Sequence, residues 1–317
     1  MDISGRRRYG AVALLMAAIV AVSAAVTAFT RVTVREDGRL RLVASFYPVY
    51  IAALNVTDGV DGVQVVNLVP SLTGCLHDFQ LSPDNMITLT GADALLLNGA
   101  GAEPFLDTVR ACFPSLAAID CSEGVALLES HEAHHHDHGG EPHPEEEHAY
   151  NEHIWTGPDR YIHQIENLRD GLAALDPGHA DAYRANAAAY IGEIEAVRDE
   201  LLEAAANLPT DQCITFHDSM AYLADELGLQ TIAALSMGEE SGLSASDLAQ
   251  AEQAASAAGR VILLYDQQYP LEYASIGEGA SMSRTVSLNA AVTGDNQKDA
   301  WLAAMRQNAA ALRAVSV

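Results

Sequence analysis

Histidine is the residue around which any chemistry in this sequence must be organised. The chain has twelve histidines in 317 residues, and eight of them fall between His131 and His153. From Glu129 to Glu152 it reads ESHEAHHHDHGGEPHPEEEHAYNE. Imidazoles interleaved with carboxylates offer many weak ligand combinations for divalent cations. With almost no aliphatic residue the tract cannot build a core, so a flexible inserted loop is expected. His131-Glu132-Ala133-His134-His135 matches the zinc-protease pattern. That chemistry needs both histidines on one face of a stable helix, which a tract broken by Gly, Pro and charge does not supply.

Three other histidines share a setting. His77 in TGCLHDFQLSP, His153 in NEHIWTGP and His217 in ITFHDSMAYL each stand where a strand or loop gives way to a helix. Any one alone reads as a structural histidine; together they point to one site, since ligands of open α/β sheets gather beyond the carboxyl ends of strands. Asp78 and Asp218 adjoin two of them and are expected to orient imidazoles or cap helices. A zinc ion on three histidines with an open fourth position would also suit a hydrolase, which is the enzymatic alternative. His163 and His179 lie on helix patterns and are expected to be exposed.

The elements that must position these residues are legible as alternating patterns. Apolar runs at 40–46, 63–70, 92–98 and 116–120 predict buried parallel strands, with helices at 82–90 and 103–112. The pattern repeats with strands at 213–216, 231–235, 261–265 and 285–288 and helices at 220–227, 244–258 and 299–313. Between the two sets, Tyr183, Ala187, Tyr190, Ile194, Val197, Leu201 and Ala205 recur at three- and four-residue steps. One helix over 179–207, roughly 40 Å long, would tie the halves as a stiff strut. The expected class is α/β, with an N-terminal lobe over 39–178 carrying the histidine-rich loop at 129–152, a linking helix over 179–207 and a C-terminal lobe over 208–317.

With 17 Lys and Arg against 43 Asp and Glu, the formal net charge is -26. Such a surface repels phosphate backbones, which excludes nucleic acid as a partner, and concentrates cations. Arg6, Arg7 and Arg8 precede an apolar run over 11–29. That is an export segment within residues 1–30, either a signal peptide cleaved after Val26-Thr27-Ala28 or an uncleaved membrane anchor. Either way the remainder is expected outside the cytoplasm. No cysteine lies in or just after this segment to accept a lipid. Cys75, Cys112, Cys121 and Cys213 allow up to two disulfides; Cys112 with Cys121 is the preferred pair on proximity.

These motifs, taken in order, resemble the metal-binding subunits of bacterial ABC importers for zinc and manganese, the cluster A-I solute-binding proteins that include metal-binding lipoproteins and adhesins. The resemblance runs from about 42 to 312. It rests on SFYPVY, HDFQLSP, ADALLLNGAG, the acidic histidine tract, NEHIW where the family usually has Asn-Pro-His, and TFHDSMAYLADELGL. It implies two Rossmann-like lobes joined by one long rigid helix, a C-clamp that moves little on binding. It further implies a monomer that hands its ion to an ABC transporter permease. The family's ligand histidines map onto His77, His153 and His217, and a histidine in the third position favours Zn2+ over Mn2+. The chain departs from the family's Leu-Asp pair by reading Leu288-Asn289, which leaves Asn289, Asp266 or water as the fourth ligand. A surface adhesin or metal sensor without a transport role is the remaining alternative.

Overall fold

Residues 38–76, 79–130, 150–235, 245–269 and 284–316 are described by a computed structural model. The export segment, His77, Asp78 and the tract at 131–149 lie outside the described residues. No helix among the described residues is long and apolar enough to cross a membrane.

The N-terminal sheet is built from β1 (Leu40–Ala44), β2 (Val63–Asn67), β3 (Ala94–Leu97) and β4 (Ala117–Asp120), in the order β2-β1-β3-β4. β3 pairs in parallel with both β1 and β4, and all four of its residues, ALLL, are buried. Two-sided burial explains why β3 reads as an unbroken apolar run, whereas the edge strands β2 and β4 are only partly buried. Crossovers are supplied by α1 (Tyr47–Val56), α2 (Pro83–Thr90) and α3 (Leu106–Cys112). The start of α2 is fixed by a reciprocal cap, in which Ser82 accepts from the Asn85 backbone and Asn85 returns the bond to Ser82. The sequence reading did not find α1. It buries Tyr47, Pro48, Val49, Ile51, Ala52, Ala53 and Val56, so no polar stripe marks a helical period.

Two antiparallel-packed helices follow, α4 (Pro158–Leu175) and α5 (Ala180–Ala206). The 27 residues of α5 span roughly 40 Å, and all seven periodic residues named above are buried. The second sheet holds β5 (Gln212–Thr215), β6 (Gln230–Ala234), β7 (Ile262–Asp266) and β8 (Arg284–Leu288), ordered β6-β5-β7-β8 and parallel throughout. Its order repeats that of the first sheet. α6 (Ala221–Glu226) and α7 (Ala245–Ala258) belong to this lobe, whose core includes Ile214, Phe216, Leu263 and Tyr265. α8 (Ala300–Val315) closes the chain and packs along α5.

The lobes are tied by more than α5. The Trp301 ring stacks on Tyr161 with centroids 4.6 Å apart, and its indole N–H donates to the Trp155 carbonyl at 3.0 Å. Trp155 in turn donates to the Ala290 carbonyl at 2.8 Å. Tyr47 donates to the Asp295 carbonyl at 2.5 Å and Asn55 to that of Lys298 at 2.8 Å. These bonds fix one lobe on the other as α5 alone could not.

The preferred disulfide is not formed, and none of the four cysteines is in a disulfide. Cys112 ends α3 at the surface, whereas Cys121 is buried just past β4.

Candidate metal centre

His153 is set by a short turn. The chain leaves the Glu129–Tyr150 bridge, forms a 3-10 turn at Ile154–Thr156, and enters α4 at Pro158. Asn151 holds the histidine twice, its side-chain oxygen accepting from the His153 backbone N–H and lying 2.9 Å from Nδ1. An oxygen only accepts, so Nδ1 carries the ring proton and Nε2 presents its lone pair. This is the tautomer a metal ligand needs. The ring packs against Trp155 at 5.2 Å, and Trp155 against Phe46 at 5.1 Å.

His217 comes from the other lobe, two residues past β5 and at the mouth of a 3-10 turn over Asp218–Met220. Its ring centroid is 5.0 Å from that of His153, with planes at 83°. Both residues are almost fully buried. The two lobes thus bring two of the predicted histidines into contact, edge to face. His217 Nδ1 accepts from the Ser219 N–H at 3.0 Å, so in its neutral form the proton sits on Nε2. Ligation through Nε2 requires the ring to exchange the Ser219 bond for a proton on Nδ1.

Besides Asp218 and Asp266, several residues around the pair were not singled out from the sequence for this site. Asn151 also donates to the Asp218 carbonyl at 2.8 Å, and the Tyr222 hydroxyl donates to the Asn151 carbonyl at 2.5 Å. One asparagine therefore aligns the two histidine segments. Ser219 donates to Asp266 Oδ2 at 2.6 Å and Gln268 to the same oxygen at 2.7 Å. Burial pushes the Asp266 carboxyl above its ordinary pKa, and the bonds from Ser219 and Gln268 oppose that rise. Cys75 Sγ lies 3.4 Å from His153 Nε2. Polar loop residues of this kind carry no periodicity, and only Cys75, two positions before His77, had a spacing that could have flagged it.

Of the fourth-ligand candidates, Asn289 is turned elsewhere. Its side-chain oxygen accepts from the Ala291 N–H at 2.8 Å and its amide reaches Gln307 on α8. Asp218 accepts from Ser130 at 2.8 Å, beside the stem of the histidine-rich tract, whose ends pair at Glu129 and Tyr150. His163 is half-buried on α4, and His179 is exposed and bonded to Asp176. Among the described residues, no three His, Cys, Asp or Glu side chains form an ion-holding set as they stand; His77 is outside them.

Residues 42–315 match the model of a family described as ZnuA, the periplasmic zinc-uptake complex component A. The chain belongs to this family. The zinc-binding protein AdcA of Streptococcus pyogenes is 26% identical over 291 residues, covering 88% of this chain and 54% of AdcA. The chain spans about half the length of the curated relatives it matches. A crystal structure of ZnuA superposes with a TM-score of 0.67 at 25% identity, covering 86% of this chain and 99% of that one. FpvC of Pseudomonas aeruginosa, solved in complex with Mn2+, shares the fold with a TM-score of 0.72 at 23% identity over 88% of this chain and 98% of its own. As in these ZnuA-type folds, two parallel-sheet lobes are joined by a long helix.

Proposed function

We propose that this chain is an extracytoplasmic zinc-binding protein that captures the ion on His77, His153 and His217 between its lobes and delivers it to an ABC-type uptake transporter. The observation that carries the reading is the pair of facing imidazoles, 5.0 Å apart, one from each lobe. Each is buried where a ligand must be neutral, and His153 already presents a lone pair. The ZnuA-family model and the AdcA relative, both named for zinc, favour zinc as the cargo.

The histidine-rich tract is the first place an incoming ion meets. Its stem, at Glu129 and Tyr150, stands beside Asp218 and Asn151, so ions held weakly there are released next to the tight site. Docking on the permease strains the centre by a small shift of the lobes, breaking the Asn151–Asp218 bond and with it the alignment of His153 and His217. The basic and apolar run over 6–29 supports export of the protein to the cell surface or periplasm, anchored where the segment stays uncleaved, and we take the working form to be a monomer. Binding is favoured over hydrolysis because the described acids near the pair are engaged, Asp266 by Ser219 and Gln268 and Asp218 by Ser130.

Competitive calorimetric titration of the full chain with zinc and manganese tests the reading, for wild type and for His217→Ala. One tight zinc site per chain, abolished by the substitution, is expected. Tight binding that survives it would move the ion to the histidine tract and overturn the interlobe site.

A further inference from the structure

Cys75 has no place in a three-histidine centre, yet it lies inside this one. The residue is buried, its Sγ sits 3.4 Å from His153 Nε2, and Gln268 donates to it at 3.6 Å. Its place is imposed by the chain. Gly74 adopts φ +85°, and a Cβ there would stand 3.2 Å from the Gln268 side-chain oxygen. Residue 74 is thus a position where glycine is required both for its backbone angle and for close approach. The bend carries Cys75 out of the N-terminal lobe to the end of β7 in the other.

We propose that Cys75 Sγ is itself an ion ligand, which with His153 and His217 gives the centre a sulfur donor and selects zinc over manganese. The proposal rests on the zinc-capture reading above. Tetrahedral zinc, with Zn–S of about 2.3 Å and Zn–N of about 2.0 Å, separates two such donors by about 3.5 Å. The observed 3.4 Å is already that edge. Because Asn151 fixes the proton on Nδ1 of His153, the thiol hydrogen points at Nε2. An ion entering between sulfur and nitrogen takes both lone pairs as the thiol proton leaves to water.

The surroundings are built for a thiolate. Gln268 is held rigidly, its backbone N–H on Asp266 Oδ1 at 3.1 Å and its amide on Oδ2 at 2.7 Å, so its N–H is available to the sulfur. The same bonds occupy Asp266, and Asn289 is committed to Ala291 and Gln307. Thiolate is a soft ligand that suits zinc, whereas manganese prefers carboxylate, carbonyl and water. A sulfur donor therefore discriminates between the two ions, which histidine alone does less sharply.

Cobalt(II) is the probe, because a thiolate bound to it gives an intense near-ultraviolet charge-transfer band that imidazole and carboxylate do not. The histidine-rich tract contains no sulfur, so ions held there cannot produce it. The full chain loaded with one cobalt is expected to show the band, and Cys75→Ser to lose it. Removing residues that only support a ligand costs 10–100-fold in affinity, so Cys75→Ser is expected to weaken zinc by about tenfold or more and to leave manganese nearly unchanged. Alkylation of wild-type Cys75, read by peptide mass spectrometry, is expected to slow when zinc is added, with exposed Cys112 as the unaffected reference. Normal one-to-one zinc binding without the cobalt band or the protection would overturn the sulfur ligand alone. A wild type that takes no zinc, or one whose tight zinc survives His217→Ala, would remove the parent reading and this one with it.

Discussion

At the scale of the residue, Asn151 is the side chain on which the centre turns. Its oxygen selects the His153 tautomer and its amide holds the Asp218 carbonyl beside His217. Asn151→Ala is therefore expected to lower zinc affinity by about 10–100-fold and to remove three hydrogen bonds, from the His153 N–H, from its Nδ1 and to the Asp218 carbonyl, at a cost of about 1 kcal/mol each. Asn151→Asp keeps an acceptor for Nδ1 and is expected to recover part of the affinity. Calorimetry on both variants checks this, and an alanine variant that binds like wild type would dismiss the role. His217 stood out because it directly follows the apolar run of β5, and His153 because it stands between a polar tract and the helix that opens at Pro158. Asn151 did not, since a bond two positions along the chain leaves no pattern and its other bonds reach residues 67 and more positions away in sequence. Cys75 was counted only among four cysteines that could pair, because cysteine spacing says nothing about which lobe a loop will reach.

At the scale of the element, the end of β3 carries a group whose titration should be visible. Glu103 accepts from the Asn98 and Gly99 backbones at 2.7 and 3.2 Å, and Asn98 donates to the Glu152 carbonyl at 2.9 Å, next to His153. Burial raises the Glu103 pKa from its ordinary 4.5 to about 7, against bonds that pull it down. The folded state therefore favours the protonated acid. Its contribution to stability is complete below about pH 4.5 and is lost as pH rises through about 7. Compared with Glu103→Gln, wild type is expected to lose up to about 3 kcal/mol between pH 4.5 and 8. Urea unfolding of the ion-free proteins across that range measures it, and a constant difference between the two would contradict the shift. The central strands β3 and β7 were readable because two-sided burial writes them as apolar runs. The same burial hid α1, whose surface is apolar on nearly every side and so has no period to detect.

At the scale of the molecule, the proposed capture of zinc between two lobes of repeated sheet order would take place in a strongly negative field. The formal charge of -26 should steer divalent cations inward, and this term falls with salt as the screening length drops from about 30 Å at 0.01 M to about 8 Å at 0.15 M. Residues 131–149 contribute six of the acidic residues and seven histidines. Deleting them leaves most of the field in place while removing the imidazoles. If the tract works by holding ions, stopped-flow zinc uptake by the deletion variant should keep the salt dependence of wild type but run slower at every ionic strength when zinc is scarce. The tight stoichiometry should remain one, with only the weaker sites gone. A deletion that flattened the salt dependence would assign the tract a purely electrostatic role. Loss of the tight site itself would place ligands in the tract, and the facing histidines of the two lobes would then need another purpose.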